Sequence, residues 1–527
     1  MSSDSTIKQR DVDFDTKEQI TDDYSYDIAL ANHPGAPNSN TAAQDDSNSS
    51  SIVVTENDQE KEAPPRKFLW VVPLKDHVHP VRFFFFLFSV FASLAVIVFF
   101  ANAQSWTLTS LLQISENTGD ATGSLSTYSE VTSVIGVVCW GIISDNIQKR
   151  TVMAFGLVIM GIICIAYPHA PDLYPTLLIL RLIYSVGTAA TTCMMAAFML
   201  EVVHGERSGL VSGLIGTCSG LGAIFAAFVL FTVPTEMSHL GSSPTDPMLI
   251  VYGYAAIGAT TVALGFLLWF LMPKNPPPQK RLTKNRKERV WKNLYYGIIA
   301  AKDPHIALGY VSSFFARADE VIITHFIAMW IQQYYIDNGR CFVGAFCPYA
   351  SSSTRTMTGI AQSVALVIAP FFGIASEYNR ELSLAAAGII GIAGCIPFSF
   401  SIDPTDRTTL GFVVLLAMGQ YGAIVAGMAM IARTKVPEEF RGGVAGMYSL
   451  CGVIGIIIIS KVGGVLFDKW MRGAPFLLLG IGHGLIAVLS LSCTRTGSAP
   501  PYTSSSIPLP VETMLAVEES WKEEADY

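Results

Sequence analysis

Three charged residues and a histidine crowd into one apolar run, FFARADEVIITHF, where Arg317, Asp319 and Glu320 precede His325. The run starts near Pro304, so the charged group lies about fourteen residues in, close to the middle of a bilayer at about 1.5 Å per helical residue. An ionised side chain there costs at least about 2.5–3.5 kcal/mol, so it needs a partner or a task. Arg317 and Glu320, three apart, share a helix face, whereas Asp319 points about 100° away from Glu320. Arg317 thus neutralises one carboxylate and leaves the other to take up and release a proton, the chemistry of a proton carrier. A fully paired structural triad is the alternative. His325 reads as a buried, hydrogen-bonded histidine. Two further charges lie in apolar runs: Arg181, in LLILRLIYSVGTAATT, about two turns from the run's outer end, and Glu130, about one turn in from the same side. At comparable depth they are expected to form a bridge opposing Asp319 or Glu320 across a cavity, unless both snorkel to the interface.

These charges need a membrane scaffold to place them, and the composition supplies one. Of 527 residues, 51% are hydrophobic and 14% charged, well short of the quarter usual in soluble domains. Twelve runs are long enough to span: 83–103, 126–144, 151–168, 175–199, 208–233, 249–272, 304–335, 356–376, 382–401, 408–432, 441–467 and 474–492. The net charge of -8 misleads, because residues 1–65 contribute -10 and residues 493–527 contribute -4, leaving +6 for the rest. The expected organisation is a disordered acidic tail over 1–80, a six-helix bundle over 81–272, a basic loop over 273–303, a second bundle over 304–493 and an acidic tail over 494–527. No signal-peptide pattern follows Met1. Lys and Arg concentrate in alternate loops, above all in the Pro-rich central one, which puts both termini in the cytosol and the central loop against anionic headgroups.

Two charged hairpins carry the next signal. GIISDNIQKR holds Gly141, Asp145, Lys149 and Arg150; GIASEYNR holds Gly373, Glu377 and Arg380. Their glycines are 232 residues apart, and ERSGLVSG at 206 and EFRGGVAG at 439 repeat at 233. Chance similarity between apolar segments does not keep one register, so the chain reads as two parallel six-helix repeats. Gly141 would let two helices approach closely, and Asp145 would sit at a helix end as a cap or ion-pair partner. The first hairpin resembles the loop signature of the major facilitator superfamily (MFS), with Asn146 and Gln148 in place of that signature's Arg and Gly.

The resemblance covers about residues 80–493. It implies an all-α integral membrane fold of twelve helices in two pseudo-symmetric bundles, alternating access to a midplane site, and the two hairpins as conformational latches. Arg181 and Gly187 resemble the R-x-x-x-G-x-G motif of proton-driven drug antiporters, with Ser185 replacing the first Gly. That motif's Arg is assigned to proton coupling. The Gly-rich fifth run loosely resembles another antiporter motif but lacks its Gly-Pro pair; helix packing is its plain reading. Around ARADE the chain is similar to fungal members resembling drug:proton antiporters of unknown substrate.

The function expected is secondary transport of a small organic solute, as a proton-coupled antiporter. A proton symporter or passive nutrient facilitator is the alternative, and a transport-inactive sensor or scaffold the alternative from another class. No enzyme motif, cofactor site or metal site is legible among the nine scattered cysteines, and nothing points to nucleic acid. Cys341 and Cys347 are the one pair suited to a disulfide, on an extracytosolic loop. Lys461 is expected to snorkel. The partners expected are the solute, protons and the lipid bilayer, with the monomer as the working unit, in the plasma or vacuolar membrane.

Overall fold

The structure, a computed structural model, describes residues 67–68, 72–73, 78–144, 147–202, 208–240, 243–273, 295–431 and 438–495. The terminal tails apart from two short pairs of residues, Asp145, and most of the central basic loop lie outside the described residues. Among the described residues twelve long helices run in order: α1 Pro80–Trp106, α2 Thr118–Ser144, α3 Lys149–Ala166, α4 Leu178–Val202, α5 Ser208–Phe228, α6 Met248–Leu271, α7 Pro304–Asp337, α8 Pro348–Tyr378, α9 Arg380–Ser399, α10 Arg407–Ile431, α11 Glu438–Lys469 and α12 Ala474–Arg495. Ahead of them Lys67–Phe68 pairs antiparallel with Val72–Pro73.

Eleven of the twelve are long and apolar enough to cross a membrane. The exception is the 34-residue α7, the helix that carries Arg317, Asp319, Glu320 and His325. Side-chain caps start some of the helices. Asp303 caps α7, accepting a 2.9 Å bond from the His305 amide ahead of Pro304 in the first turn. Asn379 does the same for α9 through the Leu382 amide at 2.9 Å.

Packing follows the repeat seen in the sequence. In the first half α3 packs on α4 and α6; in the second α9 packs on α10 and α12, the corresponding partners. Two matched seams join the halves, α2 with α11 and α5 with α8, and α1 meets α7 between them.

The halves are not in contact along their whole length. Call the end where α1 begins and α12 ends the terminal end, and the opposite one the far end. At the far end a Cβ built on Gly119 of α2 would lie 2.6 Å from the Gly464 carbonyl of α11, so the backbones meet as only glycine permits. Toward the terminal end Gly141, Gly213, Gly373 and Gly446 have nothing within 4 Å of a Cβ, and Ile135, Val138, Ile142, Val367, Phe371 and Ile374 are exposed. Close approach at Gly141 is therefore not found in this conformation. The seams close at the far end and part at the terminal end.

Several boundaries differ from the sequence expectation, and α8, like α2, begins eight residues before its apolar run. α2 begins at Thr118, eight residues before the apolar run, because its polar first turns are buried against α11. The connection from α1, expected to be about twenty residues, is reduced to Leu112–Asn117, since Thr107–Leu111 continues α1 as a π-helical turn.

Candidate functional site

Glu320 and Arg317 face the seam between the halves, with Nη1 3.6 Å from Oε2 and both side chains about half exposed (50% and 49%). The Arg317 stem crosses Gly452 of α11, where a Cβ would lie 2.6 Å from Cγ. From the other half Glu130 of α2 comes within electrostatic reach: Arg317 attracts its charge and Glu320 repels it. Two tyrosines complete the surroundings, Tyr448 acted on by Arg317 and Tyr421 by Glu320. Tyr421 donates a 3.3 Å bond to Oε1 of Gln362.

Asp319 goes elsewhere. It is 1% exposed and turns into the second half, where Nε2 of His483 on α12 lies 3.0 Å from Oδ2. The approach meets an ion-pair distance without the alignment of a hydrogen bond. Gly391 of α9 makes room for the imidazole, as a Cβ there would overlap the ring. Sequence reasoning missed His483: a single histidine in an apolar run has no spacing signal, and only the packing of α7, α9 and α12 reveals its partner.

Arg181 and Glu130 do not form the expected bridge. With α2 starting at Thr118, Glu130 sits twelve residues into its helix rather than one turn, and it faces the Arg317 group. Arg181 instead crosses to the second half, with Nη2 3.2 Å from Nε2 of His325. Its guanidinium lies over the Phe100 ring, 5.1 Å from the centroid. Nδ1 of His325 is 3.1 Å from the Val321 carbonyl, which can only accept, so Nδ1 carries the proton and Nε2 accepts from Arg181.

The far end is held by charge as well as by glycine. Lys461 does not snorkel: its Nζ is 2.5 Å from Oδ1 of Asp120 and 2.7 Å from Oγ of Ser124. Asp468 of α11 accepts from the amides of Gly119 and Asp120 at 2.9 and 2.7 Å, capping α2 from the opposite half. Asp120 and Asp468 were not singled out from sequence, because each lies at a run end where charges are commonplace.

At the terminal end Arg150 donates to Oε1 of Gln148 at 2.7 Å and lies 5.8 Å over the Trp269 ring. Lys149 opens α3 and Arg380 opens α9. Glu377 is exposed, with no ion pair among the described residues. Cys341 and Cys347 are joined by a disulfide with a Cα separation of 5.6 Å. Among the described residues no cluster of three metal-ligating side chains occurs.

The profile of the Major Facilitator Superfamily matches residues 81–346, half of the chain. The chain belongs to that superfamily. It is 24% identical to the magnetosome protein MamH of Paramagnetospirillum magneticum, over 77% of this chain and 89% of that protein. It is 20% identical to MamZ of the same organism, over 71% of this chain but only 56% of that one. The human chromaffin granule amine transporter is 26% identical over 27% of each chain. Among solved structures, an inward-facing bacterial homologue of the lysosomal transporter Spinster aligns with a TM-score of 0.58 at 13% identity, over 81% of this chain and all of that one. A D-xylose–proton symporter aligns with a TM-score of 0.56 at 14% identity, over 79% and 98%. As an MFS protein the chain is a multi-pass membrane protein and a secondary transporter, not an enzyme.

Proposed function

We propose that this MFS chain is a proton-coupled antiporter of a small organic solute, working by alternating access. One observation carries the reading. Glu320 of the second half pairs with the single guanidinium of Arg317 at mid-height in the seam, and Glu130 of the first half lies within electrostatic reach of both. One positive charge can neutralise only one carboxylate at a time, which leaves the other without a counter-charge. Glu130 moves with one half while Arg317 and Glu320 move with the other, so rocking the halves changes which carboxylate keeps the counter-charge. A proton then leaves or enters with the conformational change, as coupling requires. Asp319, sealed against His483, supports the helix and is not the coupling group. The direction rests on the antiporter-like Arg181 motif.

With both termini in the cytosol, as the Lys and Arg distribution favours, the parted end faces the cytosol and the far end faces outward. The Asp145 and Glu377 hairpins act as latches at the cytosolic ends, engaged when that side closes. Glu377, which has no ion pair among the described residues, stands in this reading for a latch released in this conformation.

The test is solute-induced proton movement in proteoliposomes, screened over cationic drugs, amino acids, sugars and carboxylates, with Glu320→Gln and Glu130→Gln alongside. Loss of proton movement in either variant, with solute binding retained, supports the shared-Arg317 site. Equal solute flux in wild type and both variants without proton flow would make the chain a facilitator and end the proposal.

A further inference from the structure

From the way Arg181 is buried, we infer that the solute carries an oxyanion, a carboxylate or phosphate group, and that Arg181 receives it. The inference rests on the carrier reading above and specifies its substrate class. Arg181 is 6% exposed, and no carboxylate among the described residues lies within ion-pair distance of it. Its Nε and Nη1 have no hydrogen-bond acceptor among the described residues. Among the described residues the one hydrogen-bond partner of its guanidinium is a neutral imidazole, contributed by the opposite half. A buried guanidinium without counter-charge is among the least favourable arrangements a membrane interior can hold, so a charge of opposite sign is called for at some stage of the cycle.

The surroundings are built for a polar group rather than for lipid. Thr122 of α2 donates to Sδ of Met329 on α7 at 3.3 Å. The two helices run antiparallel, so one turn from Thr122 to Ser126 matches one turn from Met329 to His325, which puts Ser126 at the level of the Arg181 contact. Gln104 follows Phe100 by one turn on α1, and Gln332 follows His325 by two turns on α7. Ser126 Oγ and both side-chain polar atoms of each glutamine are buried without a hydrogen-bond partner. Buried polar groups in folded proteins are nearly always satisfied, so these unpartnered groups on α1, α2 and α7 are open to polar ligand atoms. The glutamine amides and the serine hydroxyl can donate as well as accept, and it is the guanidinium, with two parallel N–H groups, that selects a carboxylate or phosphate.

Access follows from the same geometry. Arg181 belongs to the first half and His325 to the second, so parting of the far end withdraws the imidazole and exposes the guanidinium to that side. His325 holds the place of the oxyanion while the far end is shut.

The experiment is a thermal-stability titration of the full chain, purified in detergent, at constant ionic strength in sodium chloride. The probes are benzoate, succinate and inorganic phosphate, with tetraethylammonium and sorbitol as cationic and neutral comparators. A saturable rise in Tm with an oxyanion, its affinity weakened at least about tenfold by Arg181→Gln, is the expected result. Benzoate or succinate against phosphate tells which oxyanion fits. Should Arg181→Gln not fold, Arg181→Lys keeps the charge without the two-pronged geometry and should weaken the same oxyanion while retaining the charge preference. A response only to tetraethylammonium or sorbitol, no response in wild type, or an oxyanion response unchanged by both variants would overturn the inference. Solute-induced proton movement, measured after the same protein is returned to proteoliposomes, separates the two proposals: its absence beside intact oxyanion binding would sink the coupling and spare the receptor.

Discussion

Removing the far-end clamp should shift the protein toward a state open on that side. The perturbation is Lys461→Met with Asp468→Asn, which deletes the Lys461 contacts to Asp120 and Ser124 and the charge that caps α2. Lys461 and Asp120 are 46% and 42% exposed, so their pair is screened and contributes about 0.5–1 kcal/mol. The Asp468 carboxylate, only part-buried, makes two charge-assisted bonds to first-turn amides, contributing about 1–2 kcal/mol. Together the substitutions lower the cost of opening by about 1.5–3 kcal/mol, a roughly 10- to 150-fold change in the ratio of the two states. Nitroxides on noncanonical residues at Glu116 and Ile402, one from each half at the far end, would report the separation by pulsed dipolar spectroscopy. The long-distance population should grow in the double variant, with Lys461→Met alone giving the smaller part. An unchanged distance distribution would refute the reasoning, since the clamp would then contribute nothing to which side is shut.

Asp319→Asn should destabilise the protein by about 1–3 kcal/mol, because it changes the buried polar partner that lies 3.0 Å from His483, while the half-exposed Glu320→Gln changes little; thermal unfolding in detergent compares the two. At the start of α10 the Thr408 hydroxyl, then the Thr408 and Arg407 amides, hold the Asp406 carboxyl below the usual carboxylate range. A depressed carboxyl stabilises above its unfolded value and loses this as pH falls through the folded one, so amide exchange at Thr408–Leu410 should quicken only at strongly acid pH, and Thr408→Val should move the change upward. Deletion of residues 1–65 should leave solute flux intact; loss of all flux in a correctly inserted variant would favour a sensor over a carrier.

Much of the scaffold was legible in the chain because a bilayer imposes a simple rule on sequence. Twelve apolar runs had to be helices, since no other open structure satisfies its backbone in lipid, and the 232-residue repeat of Gly141 in Gly373 tied them into matching halves. Helical geometry also separated Arg317 and Glu320 from Asp319, and the structure places them on different neighbours. What a residue meets across a seam has no such periodic trace. That Arg181 meets His325 and not Glu130, that His483 receives Asp319, and that Lys461 pairs with Asp120 depend on side chains 144, 164 and 341 residues apart. Even the start of α2 needed tertiary packing, because Thr118–Ser126 is polar and becomes part of the helix by burying those groups on α11. Hydropathy records the solvent a helix lies in; which helix lies beside it is decided by the fit of glycines and charges once the two halves close on each other.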